Sequence, residues 1–304
     1  MKELSENIDL VSCAFDLTFI RCGSIEKQEA KGEEMSMKKE VMVDMTSGRI
    51  APQILRFAMP VLLGLVFQRI YNFADSYIVG HFLGDNALAA VSVAGVGMYL
   101  VFSLIIGLTT GVTVVMSQYY GAKEEDKVVK TFFSSIFIAL GMTILVTVIG
   151  LLMTRPLLIV LQTPAEVLDA AVLYLRIICA GSVGTMLYNW ISAVLRSLGN
   201  SVVPLIFLGI SSLLNIVFDI LFVAVIPMGV GGAAFATVLA QVISGVACLL
   251  YAWKILPMLR IRRDKLKLDT YIGKQMLVYG LPAALQMSII SISDMTLQAV
   301  VNTY

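Results

Sequence analysis

Long stretches without charged residues constrain the fold of this chain more than any other feature of its sequence. The segments Ala87–Ala122 and Thr131–Thr154 contain no Asp, Glu, Lys or Arg, and Asp219 is the only such residue between Ser197 and Trp253. Each stretch exceeds the roughly 20 residues that cross the hydrocarbon of a bilayer as a helix. Because backbone groups in lipid must find their partners within the chain, the sequence predicts an all-α membrane protein.

The composition agrees with this class and argues against others. Hydrophobic residues make up 58% of the chain and charged residues only 14%, whereas soluble domains carry roughly 25% charged residues. The formal net charge of +1 gives no bulk attraction to nucleic acid, so we expect no nucleic-acid partner. The four cysteines lack the spacing of a metal site, and we expect no bound metal.

Seven apolar segments joined by short polar loops indicate the organisation of the chain. These segments are 54–80, 88–118, 130–154, 166–195, 203–226, 231–256 and 272–302. The predicted domains are a polar, disordered leader over 1–50, a six-helix transmembrane lobe over 51–256, a basic cytoplasmic linker over 257–271 and a seventh helix over 272–304. Met35, Met37 and Met42 are alternative starts within the leader.

The distribution of basic residues predicts the orientation of the helices. With the amino terminus in the cytoplasm, the outer loops hold Arg155 alone. The inner loops then hold Lys123, Lys127, Lys130, Arg196, Lys254, Arg260, Arg262, Arg263, Lys265, Lys267 and Lys274. We therefore expect a multi-pass protein of the inner or plasma membrane, with a cytoplasmic amino terminus and membrane lipids around it.

A short repeat links the first and seventh segments. Phe57–Pro60 followed by Leu63 aligns with Tyr279–Pro282 followed by Leu285. The two runs begin six helices apart, so both helices start from the same side of the membrane. A parallel repeat of six-helix lobes is one of the plans of secondary transporters. We expect a twelve-helix plan of which this chain holds the first lobe and the first helix of the second.

Polar residues inside the first apolar helix fall on one face. Gln68, Tyr71 and Asn72 lie seven, four and three residues before Asp75, spacings that place all four on one side of a helix. Gly64 lies near the same stripe and allows a neighbour to approach the backbone. Polar groups are costly in a membrane, so an acid at such a depth is a candidate functional residue.

The fifth and sixth segments repeat this pattern. Ser212 and Asn215 lie seven and four residues before Asp219, and Thr237 and Gln241 form an i, i+4 pair. Two carboxylates, an amide and a hydroxyl on different helices are the oxygen ligands of a proton or Na⁺ site. For Ser212 and Gln241, hydrogen bonds between helices are the favoured interpretation.

Structural alternatives to these interpretations are open. In the first alternative, one of the buried acids forms an ion pair across helices with Arg69 or Arg176. In the second, Arg176 pairs with Asp169 within the fourth helix. The glycines of the Gly107–Gly111 pair, four residues apart, are expected to serve helix packing.

Enzyme signatures are missing from the sequence. It contains no phosphate-binding glycine loop leading into Lys, no nucleophile elbow and no histidine pair for a metal. Without an ATP-binding motif, transport by this protein requires an ion gradient. We therefore predict a secondary active transporter with no catalytic residues and no cofactor other than the coupling ion.

Several runs of the sequence carry a family resemblance. They are Phe57–Pro60, Gln68–Gly80, Leu83–Gly84 and Ala87–Ser92, with Asp44–Gly48 before them and Ser117–Gly121, Leu195–Ser201 with Pro204, Gly231–Ala234 and Ala236–Thr237 after them. In order and spacing these runs resemble MATE (multidrug and toxic compound extrusion) transporters from about Asp44 onward. The resemblance implies two six-helix lobes around a central cavity, which exchange inward H⁺ or Na⁺ for outward organic cations and drugs.

The resemblance also implies roles for individual residues. The cation site of the first lobe matches Asp75, Asn215, Asp219 and Thr237, and Gln68 matches a cavity-facing position linked to substrate. Arg69 departs from the family, because many relatives are neutral at that position. Against the two-lobe plan that the resemblance implies, we expect the chain to hold the second lobe only as far as its first helix.

A mechanism follows as a hypothesis. Binding of H⁺ or Na⁺ at Asp75 and Asp219 bends or repacks the first helix near Pro60 and Gly64, which changes the cavity wall and releases substrate outward. Tyr71 and Asn72 are predicted to line that cavity with Gln68, and the full-length protein is predicted to be monomeric.

Two rival functions remain open. A lipid-linked oligosaccharide flippase of related fold would be expected to show a strongly cationic cavity, for which the sequence offers only Arg69 and Arg176 as candidates. The other rival is a non-transporting membrane fragment.

Overall fold

The computed structural model describes residues 50–256 and 268–301, and all regular structure within them is helical. In chain order the helices are α1 (Ile50–Leu83), α2 (Asp85–Gly121), α3 (Glu125–Val160), α4 (Ala165–Ala180), α5 (Ser182–Ser197), α6 (Val202–Asp219), α7 (Gly229–Ile255) and α8 (Thr270–Val301). A π-helical segment, Ile220–Val225, continues α6. The predicted fold class, an all-α membrane protein, is confirmed.

The helices match the predicted apolar segments closely. Among the described residues, α1, α2, α3, α7, α8 and α6 with its π-helical end are long and apolar enough to cross a membrane. α4 and α5, which meet at an angle of 49°, are long and apolar enough to cross a membrane only when they are taken together. The sequence predicted a single helix over 166–195, and this is wrong, because the segment breaks at Gly181.

The break between α4 and α5 coincides with a close approach of α7. A Cβ atom on Gly181 would collide with the Val238 side chain, and one on Gly184 would lie 3.0 Å from the backbone nitrogen of Val242. Ser182, the first residue of α5, is fully buried and shares a hydrogen bond of 2.7 Å with the Thr147 hydroxyl of α3. Because only glycine permits these contacts without displacement, α5 can lie directly against α7.

The first helix of the predicted second lobe, α8, packs along α2 through small residues. A Cβ on Gly107 would collide with Ala284 Cα, and one on Gly111 would collide with the Met276 carbonyl oxygen. Two hydrogen bonds of 2.8 Å flank this contact, Ser103–Ser288 and Tyr119–Gln275. The predicted packing role of Gly107 and Gly111 is confirmed.

Some predictions fall on parts of the chain outside the described residues. These are the leader up to residue 49, with its alternative starts and the Asp44–Gly48 run, and residues 257–267 of the basic linker. The domain boundaries and the cytoplasmic position of the amino terminus therefore stay predictions.

Candidate functional site

A cavity of about 290 Å³ lies among α1, α2, α5, α6 and α7. Its wall combines aromatic and aliphatic side chains with polar groups, a mixture typical of pockets for small organic molecules. Gln68, Tyr71 and Asn72, which the sequence predicted as cavity-facing, all lie on this wall. Pro60 and Gly64, the predicted bending residues, lie on it as well.

Gly64 lies at the contact between α1 and α6. A Cβ there would lie 3.4 Å from Leu208 Cδ2 and 3.5 Å from Leu205 Cδ1, both ordinary packing distances. Pro60 lies one turn earlier, and α1 stays helical through it. Because proline has no N–H, the Arg56 carbonyl loses its partner four residues later. The backbone of α1 therefore lacks one hydrogen bond in the turn before Pro60, which borders the cavity.

Two acids from different helices meet inside the bundle. Asp75 of α1 and Asp219 of α6 are both buried, and their side chains interact with each other. Asp75 Oδ1 and both carboxyl oxygens of Asp219 receive no hydrogen bond from the residues that the structure describes. Two buried, ionised carboxylates that interact in this way repel each other, so a proton or a small cation between them stabilises the pair.

Asn215 and Thr237 connect this acid pair to the cavity. Asn215 Nδ2 donates a hydrogen bond of 3.1 Å to Thr237 Oγ1, and both residues are buried. Both also contribute to the cavity wall, whereas Asp75 and Asp219 do not. Asn215 Oδ1 has no donor among the described residues. The structure thus brings the four predicted cation-site residues together from α1, α6 and α7.

The helix carrying Asp219 changes its winding directly after that residue. Over Ile220–Val225 the backbone is π-helical, and the Ile226 N–H donates to the Leu221 carbonyl at 2.8 Å. A Cβ on Gly232 of α7 would lie 2.7 Å from the Phe222 carbonyl oxygen, so α7 presses against this turn. Single π-helical turns are frequent at functional sites.

Tyr174 of α4 is a site residue that the sequence reasoning missed. It is buried, its side chain interacts with Thr237, and it lies within electrostatic range of Asp75 and Asp219. The sequence feature that could have identified it is its hydroxyl, the only one on the otherwise apolar buried face of α4. That face could not be assigned to the acid pair without the tertiary structure.

The alternatives based on ion pairs are not supported. In the described part of the chain, Arg69 and Arg176 are exposed and form no ion pair, so neither neutralises Asp75 or Asp219. Asp169 pairs with Arg155 at 3.3 Å and not with Arg176. The predicted pair between Arg176 and Asp169 is wrong, because Arg155 of α3 reaches that carboxylate instead.

The polar residues predicted to serve packing make two kinds of contact. The Thr185 hydroxyl of α5 donates to Gln241 Oε1 of α7, which confirms a hydrogen bond between helices at Gln241. Ser212 instead donates to the Leu208 carbonyl of its own helix at 2.9 Å, so a bond between helices is not observed there. Both residues border the cavity.

The structure places Arg196 on the cavity wall, where sequence analysis had assigned it to a loop. It lies in the last turn of α5. The Gly199 N–H donates to the Arg196 carbonyl at 3.0 Å, and Gly199 has a φ of 84°, a conformation that favours glycine. This tight turn leads directly into α6, so the arginine stays beside the cavity.

A helical membrane lobe with a partly polar cavity and a buried acid pair is typical of one class of protein, the secondary transporters. The family model of MatE matches residues 60–221 of this chain. The chain belongs to the MatE family, and the resemblance to MATE transporters is thereby confirmed.

Curated and solved relatives agree with this assignment. The chain is 35% identical to the "Probable multidrug resistance protein YpnP" of Bacillus subtilis, covering 86% of this chain and 58% of that protein. A MATE structure solved "in the bent conformation" is 26% identical with a TM-score of 0.75, covering 82% of this chain and 55% of the other. A MOP superfamily transporter from Pyrococcus furiosus, described as having a reversed polarity of its binding pocket, gives the same identity, TM-score and coverage. The chain thus spans a little over half the length of these relatives.

Proposed function

We propose that this chain forms the first lobe of a cation-coupled antiporter that exports organic cations and drugs from the cell. The observation that carries the proposal is the buried pair Asp75–Asp219, in which Asp75 Oδ1 and both Asp219 oxygens have no donor among the described residues and which lies next to a cavity of drug-compatible size. Relatives named as multidrug resistance proteins support the same substrate class. The protein is expected in the cell membrane, with its amino terminus in the cytoplasm and monomeric when full length.

The four polar residues at the acid pair bind the coupling ion in this proposal. Asp75 and Asp219 accept H⁺ or Na⁺, while Asn215 and Thr237 supply neutral oxygens beside them. Because Asn215 and Thr237 also border the cavity, a change in how these two residues bind the ion also changes the cavity wall. Ion binding and substrate binding are coupled through these shared residues.

The moving part in this proposal is α1. This helix carries Asp75 of the acid pair, and its residues Gln68, Tyr71 and Asn72 lie on the cavity wall. Neutralising the acid pair removes the repulsion between α1 and α6, and Pro60 provides the point where α1 bends at low cost. Bending of α1 then reshapes the wall and releases substrate.

The function is tested with the full-length protein in proteoliposomes. An imposed inward gradient of H⁺ or Na⁺ is expected to drive ethidium movement in the opposite direction, and the gradient that works identifies the coupling ion. Equal ethidium movement with and without either gradient would refute the coupling.

A flippase for lipid-linked oligosaccharides is the alternative function. It would be expected to show a strongly cationic cavity, whereas Arg196 is the only basic residue among the described residues on the wall. The antiporter is therefore preferred.

Replacing Pro60 tests the bending step. Pro60→Ala restores the missing N–H and stiffens α1 by up to about 3 kcal/mol, so we expect ion-coupled ethidium efflux to fall several-fold while ethidium still binds. Efflux from proteoliposomes and ethidium binding are measured side by side. Pro52→Ala is the matched control, because Pro52 lies in the first turn of α1, where proline disturbs no internal hydrogen bond. Unchanged efflux in Pro60→Ala would rule out bending at this position.

A further inference from the structure

Arg196 is the one charged residue on the cavity wall among the residues that the structure describes. The acids Asp75 and Asp219 do not border the cavity, and the other polar lining groups are hydroxyls and amides. The ionic character of the cavity is therefore set by a guanidinium and not by a carboxylate. This is the opposite of what a site selective for cations alone requires.

The guanidinium of Arg196 is without an anionic partner in the described part of the chain. It forms neither an ion pair nor a hydrogen bond there. The groups that interact with it electrostatically are the side chains of Tyr188 and Cys248. A guanidinium presents five N–H donors in a fixed plane, and leaving such donors without acceptors in a partly buried place is unfavourable. The side chain is thus available to a ligand.

The surroundings of Arg196 suit an anionic oxygen group. The turn after Arg196 brings Ser201 to the same wall, and the Ser201 hydroxyl makes no capping hydrogen bond to α6. The positive end of the α6 dipole begins at this turn. The Tyr188 hydroxyl donates to the Pro204 carbonyl at 2.9 Å, which fixes its ring beside the arginine. A cation and a hydroxyl group therefore lie on the cavity wall beside the amino terminus of α6, where the Val203 N–H donates to Asn200 Oδ1 at 3.0 Å.

The rest of the wall is mainly apolar. Phe102, Ile105, Leu205 and Leu208 all contribute to it, so a ligand that fills the cavity combines a charged end with a hydrophobic body.

We infer that the cavity binds amphiphilic molecules carrying a phosphate or carboxylate group, with that group held by Arg196 at the end of the cavity formed by the α5–α6 turn. The planar guanidinium pairs with two oxygens of such a group at once. The inference rests on the proposed function, because it assumes that the substrate binds in this cavity. It extends the substrate class from organic cations to molecules with an anionic end.

The test compares two ligands with the same aromatic body, one of which carries a phosphate group. Full-length protein in a non-ionic detergent is titrated calorimetrically with 1-naphthyl phosphate and with 1-naphthol. Wild type is expected to bind the phosphate at least about 10-fold more tightly, and Arg196→Gln is expected to weaken phosphate binding by about 10-fold to 100-fold while 1-naphthol binding is unchanged. Arg176→Gln is the matched control, because Arg176 is exposed on α4 away from the cavity. Arg196→Lys is expected to retain most of the preference.

A second variant covers the case in which Arg196→Gln does not fold. Ser201→Asp places a carboxylate on the same part of the cavity wall. Because the Ser201 hydroxyl makes no capping bond and the Val203 N–H donates to Asn200 Oδ1 at 3.0 Å, α6 is preserved. We expect this variant to lose the preference for the phosphate. The inference is overturned if wild type shows no preference for 1-naphthyl phosphate. It is also overturned if Arg196→Gln or Ser201→Asp keeps that preference.

The source of the anionic group is determined in the same preparations. Phosphorus analysis of the purified proteins measures bound phospholipid. Phospholipid retained by wild type, displaced by 1-naphthyl phosphate and absent from Arg196→Gln identifies a lipid headgroup as the ligand. Phosphate binding without retained phospholipid identifies a soluble amphiphile. Either result supports the assignment to Arg196.

Ethidium efflux separates this inference from the proposed function. If wild type shows ion-coupled efflux and Arg196→Gln binds 1-naphthyl phosphate as tightly as wild type, the inference is overturned and the antiporter proposal stands. Arg196-dependent phosphate binding without any ion-coupled efflux refutes the antiporter proposal and leaves the anion-binding position established.

Discussion

Asp75→Asn and Asp219→Asn are each expected to lower ion-coupled ethidium efflux by about 10-fold or more, equivalent to at least about 1.4 kcal/mol in free energy. Asparagine keeps the shape of the side chain, but it neither takes up a proton nor offers a negative charge to Na⁺. Since the two acids face each other across α1 and α6, removal of either one also removes the repulsion that the coupling ion would relieve. Efflux from energised cells at matched expression measures the effect.

Asp85→Asn is the control for this pair. Asp85 is exposed in the first turn of α2, so its replacement is expected to leave efflux near the wild-type level. If Asp75→Asn and Asp219→Asn also pump like wild type, the buried acids have a structural role and the proposed coupling mechanism is wrong. The family assignment and the fold would be unaffected by that result.

Gly111→Ala is expected to destabilise the protein by about 1–3 kcal/mol, the usual range for overpacking a tight contact. Its new methyl group would collide with the Met276 carbonyl oxygen and lie 2.8 Å from the Gly280 nitrogen, both backbone atoms of α8. Neither α2 nor α8 can accommodate it by a side-chain rotation, so the helices must separate. A melting temperature several degrees below wild type, measured in detergent on the full-length protein, is the expected result.

Gly141→Ala provides the matched control within the same bundle. Gly141 lies in α3, and the methyl group of an alanine there would have no neighbouring atom within 4 Å among the described residues. Alanine favours a helix over glycine by up to about 1 kcal/mol, so this variant is expected to melt at or above the wild-type temperature. Equal melting temperatures for Gly111→Ala and Gly141→Ala would contradict the close packing of α8 on α2.

The cavity-facing residues of α1 were predictable because they depend on one helix alone. Gln68, Tyr71 and Asn72 follow the helical repeat relative to Asp75, and α1 is a continuous helix over this stretch. The angular relation expected from the sequence is therefore preserved in the fold. The same argument placed Asn215 and Asp219 on one face of α6.

Tyr174 and Arg196 were not predictable in this way. Tyr174 reaches Thr237 from a different helix, and no periodicity within α4 specifies which helix will face it. Arg196 follows the basic pattern of the inner loops, but the turn at Gly199 keeps it on the cavity wall. Both positions depend on contacts between segments distant in sequence or on the path of a tight turn.

The sequence by itself determined that this chain crosses the membrane as helices, where those helices lie, and which polar residues share a helical face. The length of an apolar segment and the periodicity of its side chains are local properties, so the folded helices keep them. Only the tertiary structure decided that Asp75 meets Asp219, that the fourth span breaks at Gly181 against Val238, and that Arg196 supplies the charge of the cavity wall. These features arise from the packing of one helix against another, and packing depends on the shapes of both surfaces at once.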